Sequence, residues 1–373
     1  MASKAKSAMV DFLSVAVPGV RGLQPYQPGK PIEELQREYG IADVIKLASN
    51  ENPLGPSPRA VAAIAAELKE LHRYPDGNGF ELKAALSRRL EVEANRITLG
   101  NGSNEILELV TRAFVSPGDE VIFSQHAFAV YPLVTQAAGG RAVVVPAMNY
   151  GHDLEAMHRA ISSQTRVIFI ANPNNPTGTW IGRDGLHAFL RTVPGEIVVV
   201  VDEAYFEFVD EAKYPDCTEW LGEFPNLVVT RTFSKIYGLA GLRVGYGVSG
   251  AAIADILNRV RQPFNLNSLA LACAAAALAD REHVAASAAL NRRGMRRLEA
   301  GFHQLGLGFI PSVGNFICVE VGDAAAVYEK LLRQGVIVRP VANYGLPRHL
   351  RITIGTETEN ERFLLALEQA VRG

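Results

Sequence analysis

The chain has 373 residues, 48% of them hydrophobic and 20% charged, which is typical of a globular protein with one large and one smaller domain. Its 37 Lys and Arg residues against 39 Asp and Glu residues leave a net charge of -2, which argues against a nucleic-acid or anionic-membrane surface. The longest uncharged apolar stretch, residues 268–279, is shorter than the roughly 20 residues that a bilayer requires. Because Cys217, Cys273 and Cys318 form no CxxC pair, we expect neither a disulfide framework nor a metal site, and we predict a cytoplasmic protein.

Residues 1–55 are predicted to form an irregular arm with one short helix at 32–39. Near the start of this arm Asp11 interrupts the apolar stretch that follows Lys4 and Lys6, so no secretory signal peptide is expected. After the arm come three helical patterns, at 59–71, 81–90 and 104–114.

The middle of the chain alternates short β-branched runs with helical or turn segments. The runs lie at 121–123, 142–145, 167–170, 197–201, 227–229 and 244–248. Near-continuous valine and isoleucine suit strands that are buried on both faces, so the pattern predicts a mostly parallel sheet flanked by helices. Residues 238–245 are too few for a crossover helix, which allows the last of these strands to run antiparallel.

The C-terminal part has a different character. Helical patterns at 251–260 and over most of 268–305 precede predicted strands at 315–321, 336–339 and 350–354, a helix at 324–334 and a last helix from Thr356. The fold class is therefore α/β, with a large domain around the mixed, mostly parallel sheet and a smaller α+β domain built from the arm and the C-terminal part. The predicted boundaries are 1–55 for the arm and part of the small domain, 56–280 for the large domain and 281–373 for the small domain.

Residues 100–104 (GNGSN) follow the strand-like run 97–99 and open a predicted helix. Glycines let the backbone approach an anion, and a helix N-terminus offers free N–H groups, so this segment is a candidate phosphate site. A tight turn with a serine N-cap explains the pattern equally well. The segment also resembles a dinucleotide fingerprint, but Asp119 precedes the next strand instead of following it, which argues against dinucleotide binding.

Two polar segments stand at strand exits, residues 172–178 (NPNNPTG) and residues 202–205 (DEAY). Asn175 offers an amide donor that can reach a phenolate oxygen on a ligand, although a purely structural turn is the alternative. Asp202 ends a run of four valines, where a carboxylate is costly to bury unless it meets a cation. The protonated ring nitrogen of pyridoxal 5′-phosphate (PLP) is such a cation, and a hydrogen bond to a neighbouring loop is the alternative. We expect Glu203 to be solvated or structural.

Lys235 is the most informative residue of the chain. It lies in residues 231–235 (RTFSK), directly after the strand-like run 227–229, and Arg243 follows within residues 241–245 (GLRVG). Taken singly, the lysine could be a solvated surface group and the arginine an ordinary salt-bridging residue. A lysine, a fixed cation, a carboxylate, a phenol and a carboxamide at adjacent strand ends are, however, the groups that hold PLP.

These segments together resemble the PLP-dependent aminotransferases of the aspartate-aminotransferase fold. The resemblance covers essentially the whole chain, from residues 47–55 (LASNENPLG) to residues 350–355 (LRITIG). Within that group the chain is most similar to histidinol-phosphate aminotransferases. The segments that carry this similarity are 24–26 (QPY), 73–76 (RYPD), 100–104, 202–206 and 231–245.

The resemblance implies a role for each matching residue. Lys235 would be the Schiff-base lysine and the proton carrier, Asp202 would pair with the pyridine nitrogen, and Tyr205 and Asn175 would bond the ring 3′-oxygen. Phe128 holds the position of the aromatic residue that stacks on the cofactor ring, where many family members have tyrosine. The phosphate-cup motifs contain Gly102, Ser103, Asn104, Thr232, Ser234 and Arg243.

The resemblance also implies a homodimer, in which Tyr74 reaches the cofactor phosphate of the neighbouring subunit. For the substrates it implies binding by Tyr26, Asn175, Arg339 near the substrate phosphate and Arg351 at the carboxylate of the 2-oxo acid; an exposed strand-end arginine is the alternative for Arg339. The implied reaction is ping-pong transamination between histidinol phosphate and 2-oxoglutarate in histidine biosynthesis. An aromatic amino acid aminotransferase and, more remotely, a non-catalytic PLP-sensing domain are the other functions considered.

Overall fold

The computed structural model describes residues 10–372, so Lys4 and Lys6 lie outside the described residues. The α-helices are α1 Phe12–Val15, α2 Pro18–Arg21, α3 Ile32–Tyr39, α4 Pro58–Glu67, α5 Phe80–Leu90, α6 Ser103–Phe114, α7 Val130–Ala137, α8 Leu154–Arg159, α9 Arg183–Leu190, α10 Ala251–Val260, α11 Ser268–Ala279, α12 Arg281–Gln304, α13 Ala324–Leu332 and α14 Glu357–Arg372. The strands are β1 Ile45–Lys46, β2 Ile97–Gly100, β3 Glu120–Ser124, β4 Arg141–Val145, β5 Thr165–Ala171, β6 Val198–Asp202, β7 Leu227–Thr232, β8 Gly245–Ser249, β9 Phe309–Ile310, β10 Phe316–Glu320, β11 Val336–Ile337, β12 Arg339–Pro340 and β13 His349–Thr353.

Seven strands form the large sheet, in the order β2-β8-β7-β6-β5-β3-β4. Strands β7, β6, β5, β3 and β4 run parallel to one another, whereas β8 is antiparallel to both β7 and β2. The central valines of β6 are buried on both faces of the sheet, because helices cover both sides. The predicted mixed, mostly parallel sheet is therefore confirmed.

The register of the central strands brings their polar exits together. Ala171 at the end of β5 lies beside Asp202 at the end of β6, and Asp202 in turn lies beside Thr230 on β7. Because parallel strands end at one edge of a sheet, the segments after β5, β6 and β7 open into the same crevice.

A smaller antiparallel sheet, in the order β12-β13-β10-β9, packs with α12, α13 and α14 around a separate apolar core. The prediction of one strand over residues 336–339 is wrong. Val336–Ile337 pairs in parallel with β1 from the arm, whereas Arg339–Pro340 pairs with β13. The chain changes partner at Val338, and Pro340 has no N–H with which to extend a ladder.

Two local details concern helix ends. Thr356 and Glu359 form a capping box at the start of α14, with the Thr356 N–H donating to Oε2 of Glu359 over 2.8 Å and the Glu359 N–H donating to Oγ1 of Thr356 over 3.3 Å. Asp280 divides the predicted helical span 268–305 into α11 and α12, since its side chain caps α12. No helix within residues 10–372 is both long and apolar enough to cross a bilayer.

Candidate active site

A pocket lies where the exits of β5, β6 and β7 meet the arm and the small sheet. Of the predicted site residues, Gly102 and Tyr74 do not line it. The lining residues are Tyr26, Gly29, Ala48, Ser49, Asn50, Ser103, Asn104, Phe128, Ala171, Pro173, Asn175, Asp202, Ala204, Tyr205, Thr232, Ser234, Lys235, Arg243, Arg339 and Arg351.

One end of the pocket is built to receive an anion. The N-terminus of the twelve-residue helix α6 begins at Ser103 and leaves backbone N–H groups without partners inside the helix. Opposite it, Nη1 of Arg243 lies 3.3 Å from the hydroxyl oxygen of Ser234 and donates to it. Gly102 has φ +74° and a Cβ there would lie 2.3 Å from Nη2 of Arg243, so only glycine lets the guanidinium approach this closely. The cup can hold a phosphate group.

Asp202 is a buried carboxyl with two side-chain donors. Oδ2 accepts a hydrogen bond from the Tyr131 hydroxyl and Oδ1 accepts one from the Thr230 hydroxyl, each over 3.0 Å. Burial raises the pKa of Asp202 above its ordinary value, although both hydrogen bonds act in the opposite direction. A cationic ligand at this point would favour the ionised carboxylate.

Lys235 lies between the arm and the end of the sheet. Its Nζ donates to the backbone oxygen of Ser49 over 3.2 Å and lies 5.6 Å from the centre of the Tyr205 ring. Burial, together with the nearby cations Arg351 and Arg243, lowers the pKa of Lys235 to about 8. A neutral amine is therefore accessible near neutral pH, as a nucleophile or a proton acceptor requires.

Asn175 and Tyr205 both line the pocket and each carries a hydrogen-bond donor. Oδ1 of Asn175 accepts from Nη1 of Arg351 over 2.6 Å, which leaves the amide NH₂ group of Asn175 for another partner. Burial raises the pKa of Tyr205 to about 12, so its hydroxyl keeps its proton at neutral pH.

Arg339 and Arg351 are direct neighbours in the register of β12 and β13. Nη2 of Arg339 donates to the backbone oxygen of Gln27 over 2.8 Å, and its guanidinium lies 5.7 Å from the centre of the Tyr26 ring. Arg339 is only 8% exposed, so the alternative of an exposed arginine is wrong. Nε of Arg351 is buried and has no hydrogen-bond partner among residues 10–372, which leaves a donor for a ligand.

Two aromatic residues from the predicted set differ in their placement. Phe128 lines the pocket, beside the exit of β3. Tyr74 lies elsewhere, with 83% of its surface exposed and its ring stacked on Phe264 at a centroid distance of 4.8 Å.

The sequence did not reveal several residues that hold the site residues in place. Glu203 is fully buried, and its Oε2 accepts from Nε and Nη2 of Arg231 over 2.9 and 2.7 Å, so the expectation of a solvated glutamate is wrong and the structural one is right. The Asp202 donors Tyr131 and Thr230, and Asn50 in the pocket wall, were also missed. Asn50 lies in the 47–55 segment that carried the resemblance, whereas Tyr131 belongs to a helix without any chemical signal in the sequence.

Comparisons with known proteins agree with this geometry. The family model for aminotransferase class I and II matches residues 42–367. A protein named histidinol-phosphate aminotransferase 2 from Pseudomonas fluorescens is 62% identical over 97% of this chain and 98% of its own length. The chain belongs to the histidinol-phosphate aminotransferase family of class I and II aminotransferases. A second relative of the same name, from Pseudomonas aeruginosa, is 61% identical over 96% of the chain and 98% of its own length.

Solved structures resemble this aminotransferase over nearly its whole length. The structure of histidinol-phosphate aminotransferase from Sinorhizobium meliloti in complex with pyridoxal-5′-phosphate has a TM-score of 0.90 and 29% identity, covering 99% of both chains. A single-mutant aspartate aminotransferase from Thermus thermophilus, 22% identical with a TM-score of 0.82, covers 96% of this chain and 99% of its own, and shows the fold alone. The predicted family and fold class are thus confirmed.

Proposed function

We propose that this aminotransferase uses PLP to exchange an amino group between histidinol phosphate and 2-oxoglutarate in histidine biosynthesis. The observation that carries the proposal is the pair Arg339 and Arg351, which adds two buried cations to a pocket that already has Arg243 at its phosphate cup. Arg243 would bind the cofactor phosphate and Arg351 a substrate carboxylate, which leaves Arg339 for a substrate phosphate. The name of the 62% identical relative supports the same substrate.

The donor set of the pocket fits PLP group by group. Lys235 offers an amine of lowered pKa to the aldehyde, and Asp202 offers a buried carboxylate to the ring nitrogen. Tyr205 and Asn175 offer two donors to the ring 3′-oxygen, and Phe128 offers an aromatic face to the ring. The phosphate would be held by groups from Gly102, Ser103, Asn104, Thr232, Ser234 and Arg243.

When bound, PLP supplies an electron sink for the electron pair that is left when the substrate Cα–H bond breaks. Asp202, held by hydrogen bonds from Tyr131 and Thr230, would keep the ring nitrogen protonated and so maintain that sink. Lys235 would accept the proton that leaves the substrate Cα and later return it, and its pKa of about 8 suits both directions of transfer. The backbone oxygen of Ser49 orients the lysine amine. Because one site serves the donor and the acceptor in turn, ping-pong kinetics are expected.

The two paired arginines would divide the anionic groups of the substrates. Arg351 has a free Nε and is fixed by Asn175 and by Ala48, whose backbone oxygen accepts from Nη2 over 2.7 Å, so it is suited to a carboxylate. Arg339 lies against Tyr26 of the arm, farther along the pocket wall, and would contact the phosphate of histidinol phosphate.

Arg339→Ala should lower kcat/KM for histidinol phosphate roughly ten- to a hundredfold, since a charge-assisted contact to a phosphate is worth about 1.5–3 kcal/mol. Phenylalanine has no phosphate, so its kcat/KM should change much less. The measurement is the half-reaction of the PLP-loaded enzyme with each donor, followed by the cofactor absorbance.

The matched control is Arg348→Ala, because Arg348 is an exposed arginine of the same region that pairs with Glu320. This variant should leave both donors unaffected. If phenylalanine is the better donor for the parent enzyme, or if Arg339→Ala affects both donors equally, the substrate assignment is wrong and an aromatic amino acid aminotransferase takes its place.

A homodimer with shared active sites is part of the proposal. Its support is a group of aromatic residues outside the pocket: Tyr74 and Phe80 are 83% and 70% exposed, and Phe264, on which Tyr74 stacks, is 47% exposed. Apolar side chains this exposed are typical of surfaces that a second subunit covers. Sedimentation at low micromolar concentration should therefore show a dimer, and a fully active monomer would contradict the shared site.

Mixing two damaged variants tests whether Tyr74 acts on its partner's site. Tyr74→Ala and Lys235→Ala subunits, unfolded and refolded together, form hybrid dimers in which one site has both residues intact. Random pairing makes about half of the dimers hybrids, and each hybrid has one intact active site out of two. About a quarter of all active sites are then intact, so activity should rise toward a quarter of the parent value. Activity no higher than that of diluted Tyr74→Ala would place Tyr74 in its own subunit's site or outside any site.

We also propose a cytoplasmic location. Cys217, Cys273 and Cys318 are all free and buried, which suits a reducing compartment. Cell fractionation with an antibody against the chain tests this location.

A further inference from the structure

Asn50 is a buried residue of the pocket wall in which every polar atom has a hydrogen-bond partner. Its φ of +55° lies in the left-handed region, which asparagine adopts more readily than most residues. Its backbone N–H donates to Oγ1 of Thr353 over 2.9 Å, and its backbone oxygen accepts from the side-chain amide of Asn315 over 3.0 Å. Asn50, a residue of the arm, is therefore held against the small sheet.

Thr353 determines the orientation of the Asn50 side-chain amide, that is, where its oxygen and its NH₂ group lie. The Thr353 hydroxyl accepts the Asn50 N–H, so its single proton is available to Oδ1 of Asn50, 3.2 Å away. With the amide oxygen on Thr353, the NH₂ group faces Tyr205 and donates to its hydroxyl oxygen over 2.9 Å.

This contact also fixes the direction of the Tyr205 proton. A tyrosine hydroxyl has one proton, and the Tyr205 oxygen already accepts the Asn50 amide. Within residues 10–372 this hydroxyl donates to no other group, although its residue is only 3% exposed. The proton is thus left for an acceptor inside the pocket that Tyr205 lines.

We propose that Asn50 is a positioning residue, which directs the Tyr205 proton toward the anionic 3′-oxygen of the bound cofactor. The inference rests on the proposed function, since it assumes that Tyr205 contacts this oxygen. Thr353, which orients the Asn50 amide, is two residues from Arg351 on β13. The direction of the Tyr205 proton therefore depends on the same strand that carries the substrate-binding arginine.

Asn50→Asp tests the direction, because aspartate has nearly the same shape and tolerates the left-handed backbone but offers only oxygen acceptors. The new carboxylate should take the Tyr205 proton and withdraw it from the 3′-oxygen. The anionic cofactor then binds a proton more tightly, so its apparent pKa should rise by about one unit or more. This pKa is measured by following the visible absorbance of the cofactor during a pH titration without substrate. Asn50→Gly removes the amide but leaves the Tyr205 proton free to reach the cofactor, so its effect should be less than half as large.

Asn50→Asp in a Tyr205→Phe background separates the effect of the Tyr205 proton direction from the effect of the added negative charge. Phenylalanine has no proton to direct, so Asn50→Asp should keep at most half its effect there, from the added charge alone. An equal shift in both backgrounds overturns the role of Asn50 while the proposed function stands. If Tyr205→Phe alone leaves the cofactor titration unchanged, Tyr205 does not contact the 3′-oxygen, and the inference fails with that assignment.

Thr353→Val provides a second test if Asn50→Asp does not fold, as judged by thermal unfolding of the cofactor-free protein. Valine keeps the shape of threonine but no longer orients the Asn50 amide, so the cofactor pKa should again rise. Thr353→Ser keeps the hydroxyl and should restore the parent titration. Identical titrations for the valine and serine variants contradict the inference. The dissociation constant of PLP, measured on the cofactor-free proteins, should increase in the same order as the pKa.

Discussion

Asp202→Asn should slow the half-reaction of the PLP-loaded enzyme by at least roughly 100- to 1,000-fold, the usual cost of removing even one neutral preorganised hydrogen-bonding group from an active site. Asparagine keeps the shape of the side chain and can still accept the hydrogen bond from Thr230 or Tyr131. It has no negative charge, so it cannot keep the ring nitrogen protonated, and the electron pair from the Cα–H bond is then poorly stabilised. Stopped-flow measurement with histidinol phosphate gives the rate.

The fold of this variant should stay intact, because an amide is easier to bury than a carboxyl that lacks a cation. Asp255→Asn is a suitable control, since Asp255 is an exposed partner of Arg259 on α10 and should leave the rate unchanged. A rate for Asp202→Asn within a fewfold of the parent would show that the carboxylate does not support the ring nitrogen.

Lys235→Ala should lower turnover about 10,000-fold, because the variant loses both the attachment point of the cofactor and the group that carries the proton. The measurement is steady-state transamination at saturating PLP. Borohydride reduction of the parent enzyme, followed by peptide mapping, should place the pyridoxyl group on Lys235.

Lys46→Ala is the matched lysine control, since Lys46 lies in the arm near the pocket and pairs with Glu51 over 2.9 Å. It should keep both the activity and the label on Lys235. A pyridoxyl group on any other lysine would disprove the assignment.

The large sheet could be predicted because strands buried on both faces leave uninterrupted apolar runs. The run at 197–201 anticipates β6, and the short connection at 238–245 anticipates the antiparallel direction of β8. Two-residue strands such as β1 and β9 have no periodicity to detect. Their existence depends on distant partners, as the division of residues 336–339 between two sheets shows.

From the residues alone, the candidate site could be predicted where a chemical group stands at a strand exit, whereas the family resemblance supplied Tyr26, Phe128, Arg339 and Arg351. Lys235, Asp202 and Asn175 each follow an apolar run and are brought together by the parallel register. Tyr131 is 71 positions from Asp202, and Asn50 is 155 positions from Tyr205. Packing of whole elements creates these contacts, so no local pattern in the sequence marks them.

The paired cations Arg339 and Arg351 also affect substrates that have not yet reached the protein. The net charge of the chain is -2, so the attraction is a local field focused at one opening. A donor whose phosphate outweighs its ammonium group has a net negative charge and should be drawn toward this opening over about 8–10 Å at physiological ionic strength, whereas a donor without net charge gains little. Discrimination between donors thus begins during the diffusional encounter, and added salt weakens it.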